Sequence, residues 1–397
     1  MITKELIQEI AKKYKNIIKE IREHIHMYPE LSFEEYKTKE YICYLLEKNN
    51  IEYIKDIGNV NSVICIIKGK KNGKKIGIRV ELDALPINEE LEVSYRSRHP
   101  GKMHACGHDL HIAVLLGAMF ILNEIRDKFN GEIYGIFQPA EEKAPGGAIC
   151  IINDNYFKKI NFDYIISYHS DPNITVGKIG LHYGPFLASS DEIKITINGK
   201  GGHAAHPHLT IDPIIPAINS IISIYNYLYK KTNLEYPYYV SFGKLLANGT
   251  YNVIPNKIEI EGTLRTFNEI DRNKILKKIK EIFECNAQAF DCIAQIEINN
   301  GYPVLLNDFE LYKKIKKISI EYLGNDNVID VDKKLASDDF AHYSQKYKTF
   351  TFRLGTGGSY QSSFPLHSPF FDINESIYDF AHSFLSFLLL KLLHYHE

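Results

Sequence analysis

The chain has 397 residues, 45% of them hydrophobic and 24% charged, with a formal net charge of −2. That length suits two domains and that composition a soluble globular protein. The near-neutral balance offers no field for drawing in nucleic acid or an anionic membrane surface.

The N-terminus alternates charged and apolar residues at helical spacing and lacks the continuous apolar stretch of a secretory signal. The first 55 residues read as two helices broken at Met27-Tyr28-Pro29, with Ser32-x-x-Glu35 as a capping box for the second. NSVICIIKG (61–69) and IGIRVEL (76–82) read as strands, followed by a helix from Asp109 to about Ile125. EIYGIFQ (132–138), a short helix from Gly146, and FDYIISYH (162–169) continue the alternation. Apolar strands alternating with helices predict an α/β domain on a mostly parallel sheet.

The pattern changes near residue 186. SSDEIKITING, a long helix opened by Asp212-Pro213, YYVSFGKLL, KIEIEGTLRTF, an amphipathic helix from Glu269 to about Phe290 and CIAQIEIN follow in turn. This order predicts a small α+β sandwich with an antiparallel sheet. The expected organisation is a discontinuous catalytic domain, 1–185 and 300–397, with a smaller domain inserted at 186–299. No stretch approaches ~18 uncharged apolar residues, so no membrane span is expected. FLSFLLLKLL at 384–393 is expected to pack against the core. Six scattered cysteines, mostly in or beside apolar runs, read as buried free thiols in a reducing compartment, hence a cytoplasmic protein. Cys106 is the exception, with mainly His, Gly and Asp neighbours.

Cys106 and His108 lie two apart on a turn before an apolar helix, with Gly107 giving backbone freedom between them. No second Cys or His pair completes a structural zinc finger. Three strands deliver further groups at their C-terminal ends, where open parallel sheets build sites. Asp83 follows 76–82, Glu141 and Glu142 follow 132–138, and His169 ends 162–169. Beside a divalent metal, one of two adjacent carboxylates can coordinate while its neighbour stays free to move a proton. His367, after the Gly-rich loop 355–358, is the best remaining histidine.

RVELDALPINEE, KMHACGHDLH, FQPAEEKAPGGA, GKGGHAAHPHLTIDP, NVIPNKIEIEGTLRTF, ASDDFAHYSQ and LHSPFFDINE, in this order, resemble the motifs of the amidohydrolase branch of the M20 metallopeptidases. That branch holds hippurate hydrolases, N-acetyldiaminopimelate deacetylases and indole-acetyl-amino-acid hydrolases. The resemblance runs from about residue 20 to the C-terminus. It implies hydrolysis of the amide of N-acyl amino acids or short peptide-like substrates at two divalent cations, zinc or manganese foremost, nickel or cobalt also compatible. Cys106 would bridge, with His108, Glu142, His169 and His367 as further ligands, Glu141 as general base and Asp83 orienting the centre. His203 would help polarise the scissile carbonyl, and Asn252 and Arg265 would contact substrate carbonyl or carboxylate. His206 and His208 are read as structural or surface residues. A homodimer through the inserted domain is also implied.

Two carboxylates depart from the pattern by one methylene: Glu81 stands for the usual Asp and Asp338 for the usual Glu. Lys143 directly follows the glutamate pair. Two other readings compete: a cysteine hydrolase with Cys106 as nucleophile and His108 as base, and a non-catalytic ligand-binding relative.

Overall fold

A computed structural model describes residues 2–231 and 237–394. The outer ends of the two expected catalytic segments, residues 1 and 395–397, lie outside them. The chain divides into two compact units, one of Met1–Gly184, Leu306–Asp332 and Asp338–Glu397, the other of Pro185–Leu305 and Lys333–Ser337. The segment 186–299 falls inside the second unit, which also takes in residues 185, 300–305 and 333–337.

The first unit is built on an eight-stranded sheet. In order across the sheet its strands are Glu52–Lys55, Val63–Lys68, Glu132–Gln138, Lys75–Glu81, Tyr164–Thr175, Thr349–Gly357, Ile179–Leu181 and Val328–Asp330. The centre is parallel: Lys75–Glu81 pairs in parallel with both Glu132–Gln138 and Tyr164–Thr175, and the latter with Thr349–Gly357. Val63–Lys68 runs antiparallel to Glu132–Gln138, which makes the sheet mixed toward that edge.

The helix His108–Glu124 is apolar on all sides, and every residue from His108 to Leu122 is buried, as expected of a core helix. The C-terminal helix Ala381–Leu393, which contains FLSFLLLKLL, is buried along nearly its whole length and joins the same core cluster. No helix among the described residues is long and apolar enough to cross a membrane.

The second unit carries a four-stranded antiparallel sheet in the order Tyr238–Ala247, Lys257–Thr266, Asp191–Asn198, Ile293–Asn300. Asp191–Asn198 alternates buried and more exposed residues, the period of a sheet with one face on a core. The helices Ile214–Lys231 and Glu269–Ala289 contribute to that core through Ala217, Ile224, Ile275, Ile279 and Phe283.

Two sequence expectations are corrected. Ser32 and Glu35 form no capping box: the helix starts at Tyr36 and Glu35 makes no side-chain cap. The first-turn amides Lys37 N–H and Thr38 N–H donate instead to the Glu30 carboxylate at 3.2 and 2.8 Å. The cysteines are all free, but Cys285 is exposed and Cys150 half-buried, because their helices turn those positions outward.

Candidate metal centre

Pairing between Lys75–Glu81 and Tyr164–Thr175 ends at Arg79 opposite Ser167. His169 therefore stands just past the end of that ladder, although its own strand runs on to Thr175 beside Thr349–Gly357. Asp83 and the Glu141-Glu142 pair follow the ends of the two neighbouring strands. Cys106 and His108 arrive at the start of the buried helix, after Gly107. Gly107 has φ 82°, and a Cβ there would meet Ser170 Oγ at 2.5 Å, so the close approach demands glycine.

The side chains converge. Cys106 Sγ lies 3.4 Å from His169 Nε2. Glu142 Oε1 is 3.4 Å from His367 Nε2 and 4.0 Å from His108 Nε2. Potential ligand atoms of Cys106, His108 and His169, of Cys106, Glu142 and His367, and of His108, Glu141 and Glu142 form three groups, each with its atoms within 4.8 Å of one another.

The imidazoles are oriented from behind. His108 Nδ1 faces the Asp83 carbonyl oxygen at 2.8 Å, and His169 Nδ1 faces the Ser170 carbonyl oxygen at 2.9 Å. Both carbonyls only accept, so each Nδ1 donates and Nε2 is the ring atom left facing inward, the orientation of metal-ligating histidines. His367 has φ 66°, and its N–H donates to Ala105 O at 2.8 Å, tying its turn to the Cys106 loop.

Buried His108 Nε2 and Glu142 Oε1 make no hydrogen bond in the protein. Orphaned buried polar atoms that face one another call for a partner. The charge balance agrees. Burial pushes the Cys106 thiol well up, and Glu142 and Glu141 add to it. Burial works against protonation of His108, yet Asp83 and Glu81 carry its imidazole up to about 10. Burial, then Glu142 and Asp338, push the Glu141 carboxyl well above the usual range. A thiol, two carboxylates and three imidazoles in one anionic pocket fit divalent cations of borderline softness.

Sequence reading left out a buried layer beneath this set. Glu81 Oε2 accepts from His111 Nδ1 at 2.7 Å, and His111 Nε2 accepts the Ser170 N–H at 2.9 Å. Both nitrogens of His111 are engaged, so it braces the His169-Ser170 segment. The H-x-x-H spacing of His108 and His111 on one helix turn could have flagged it. The departures Glu81 and Asp338 meet on one guanidinium: fully buried Arg79 pairs with Glu81, Asp338 and Asp339 and donates to Gln138. Lys143 is exposed.

The remaining predicted residues belong to the second unit. His203, in the short strand Gly202–His203 opposite Val253–Ile254, is exposed, and its Nδ1 accepts the Ala205 N–H at 3.1 Å. Asn252 sits beside it, its carbonyl accepting the Ala204 N–H at 3.0 Å. Arg265, half-buried on Lys257–Thr266, donates to Ser337 Oγ at 2.9 Å. His206 and His208 are exposed.

The model of peptidase family M20/M25/M40 matches residues 77–390. The N-acetyl-L-cysteine deacetylase of Bacillus subtilis (strain 168) is 38% identical over 357 residues, 90% of this chain and 83% of that protein. The N-acetyldiaminopimelate deacetylase of Anoxybacillus flavithermus (strain DSM 21510 / WK1) is 33% identical over 363 residues, 91% and 93% of the two chains. Among solved structures, the Bacillus subtilis YXEP protein, described as a dinuclear metal-binding peptidase of the M20 family, superposes with a TM-score of 0.83. It shares 31% identity and covers 96% of this chain and 99% of its own.

Proposed function

The chain belongs to peptidase family M20/M25/M40, and from that premise we propose that it hydrolyses the amide bond of N-acyl amino acids with two divalent cations. The observation that carries this reading is the convergence of Cys106, His108, Glu142, His169 and His367 beside Glu141, with His108 Nε2 and Glu142 Oε1 buried and unbonded. Cys106, His108, Glu142, His169 and His367 would hold the cations; zinc or manganese suits the thiolate–imidazole–carboxylate mixture, with nickel or cobalt also compatible. When bound, the cations polarise the scissile carbonyl and acidify water.

The chain's own residues do the rest. Glu141 takes a proton from the attacking water as its oxygen adds to the carbonyl carbon. It then delivers that proton to the amine nitrogen as the C–N bond breaks, releasing the acyl group as a carboxylic acid and the free amino acid. Asp83 steadies the centre through His108 and the Glu142 amide. His203, with Nδ1 accepting from Ala205, carries the proton of its neutral ring on Nε2, the donor that polarisation of a carbonyl oxygen requires. Asn252 contacts the substrate carbonyl, and the planar fork of Arg265 pairs with its carboxylate.

The first unit is the catalytic domain and the second the lid and dimerisation domain. A homodimer is supported by Ile215, Ile218, Ile222, Tyr225 and Tyr229, exposed at alternating spacings of three and four along one helix. The edge strand Tyr238–Ala247 adds exposed Leu245 and Leu246. Cytoplasmic residence is supported by the free cysteines.

A panel of N-acetyl, N-benzoyl and indole-acetyl amino acids tests the reading. Turnover should vanish on prolonged chelation and return with zinc or manganese. Metal-loaded protein inert on the whole panel would favour a ligand-binding role, and activity that survives chelation would favour a cysteine nucleophile.

A further inference from the structure

Glu35 is fully buried at the start of the helix Tyr36–Lys48 and does not cap it. Its Oε1 accepts the Phe33 N–H at 3.0 Å and the Ala140 N–H at 2.8 Å. Ala140 immediately precedes the glutamate pair and has φ 57°. That left-handed conformation is strained for a non-glycine residue and needs outside support. Two residues on, Asp83 Oδ2 accepts the Glu142 N–H at 2.9 Å and the Ser32 hydroxyl at 2.6 Å. The strap 140–142 thus hangs from two carboxylates: Glu35 holds one end, and Asp83, itself bonded by the Ser32 hydroxyl, holds the other.

We propose that Glu35 is a positioning residue for the Glu141–Glu142 pair: by holding the Ala140 amide it maintains the left-handed turn that aims both glutamates into the metal centre. The inference rests on the roles given above to those glutamates, whereas the strap itself can be measured without turnover. Burial, followed by the Asp83 carboxylate, pushes Glu35 up to about 8.

Two variants separate reach from charge. Glu35→Gln keeps the acceptor in place and drops the charge; Glu35→Asp keeps the charge and withdraws the acceptor by one methylene. Amide hydrogen exchange of the peptide spanning 139–142, together with kcat and KM, is read on the full-length, metal-loaded protein. Glu35→Gln should keep wild-type protection and a kcat within about threefold, while Glu35→Asp should lose protection there alone and lower kcat about tenfold or more at little-changed KM. Undiminished protection and kcat in Glu35→Asp would overturn the proposal, as would a Glu35→Gln defect equally deep. Should the wild type turn over no N-acyl amino acid, the reaction assignment falls while the exchange comparison still decides the role of Glu35.

Discussion

Two glycine–histidine steps in this chain have opposite surroundings. His108, after Gly107, is fully buried, with one ring nitrogen held by the Asp83 carbonyl and the other aimed at Glu142. His203, after Gly202, is exposed on a two-residue strand, its ring accepting from an amide two residues along. The first ring is held in place before any ligand arrives. The second has freedom to lose, so its contribution depends on what comes to meet it. Preorganised groups act without reorganising when charge develops, whereas mobile groups must first be ordered.

Substitutions can break or sharpen this contrast. The largest effect is expected inside the buried set: Glu141→Gln should lower turnover about 10³-fold while elemental analysis finds metal content unchanged, since a proton acceptor contributes differently from a ligand. Metal loss in that variant would exchange the roles of Glu141 and Glu142. Cys106→Ala should reduce both bound metal and turnover; full metal occupancy would remove it from the ligand set. On the exposed side, His203→Ala should cost about 10²-fold in kcat with metal content intact, the scale of losing one carbonyl-polarising donor. A fall in metal content there would erase the contrast drawn between the two histidines. The smallest effect on the fold belongs to Ile222→Glu. Because Ile222 is 53% exposed, the melting temperature should barely move, while light scattering should report monomers in place of dimers.

The buried network shows why parts of the site resist sequence reading. Cys106, His108 and the glutamate pair stand out because they sit at a helix start and just past a strand end, where a parallel sheet places functional groups. Arg79 does not stand out: its partner Asp339 is 260 residues away. Glu35 meets Ala140 across 105 residues, and in the sequence Ser32 and Glu35 imitate a local cap. The imitation fails because Glu30, whose carboxylate accepts from Lys37 and Thr38, satisfies the first-turn amides instead. His169 illustrates a milder limit. Its strand runs six residues further than FDYIISYH suggests, and the end of pairing with a neighbouring strand sets its place.

Periodicity, turn residues and the spacing of metal-loving side chains are local properties. From them the sequence alone pointed to the α/β character of the larger part, the antiparallel character of the smaller, and a set of candidate side chains for the chemistry. Orientation was decided by tertiary structure. Which ring nitrogen faces inward, which carboxylate grips Ala140 and which residues share Arg79 depend on partners that only folding brings within 3 Å or so. Hydrogen bonds are short and directional, and linear order records neither the distance nor the direction.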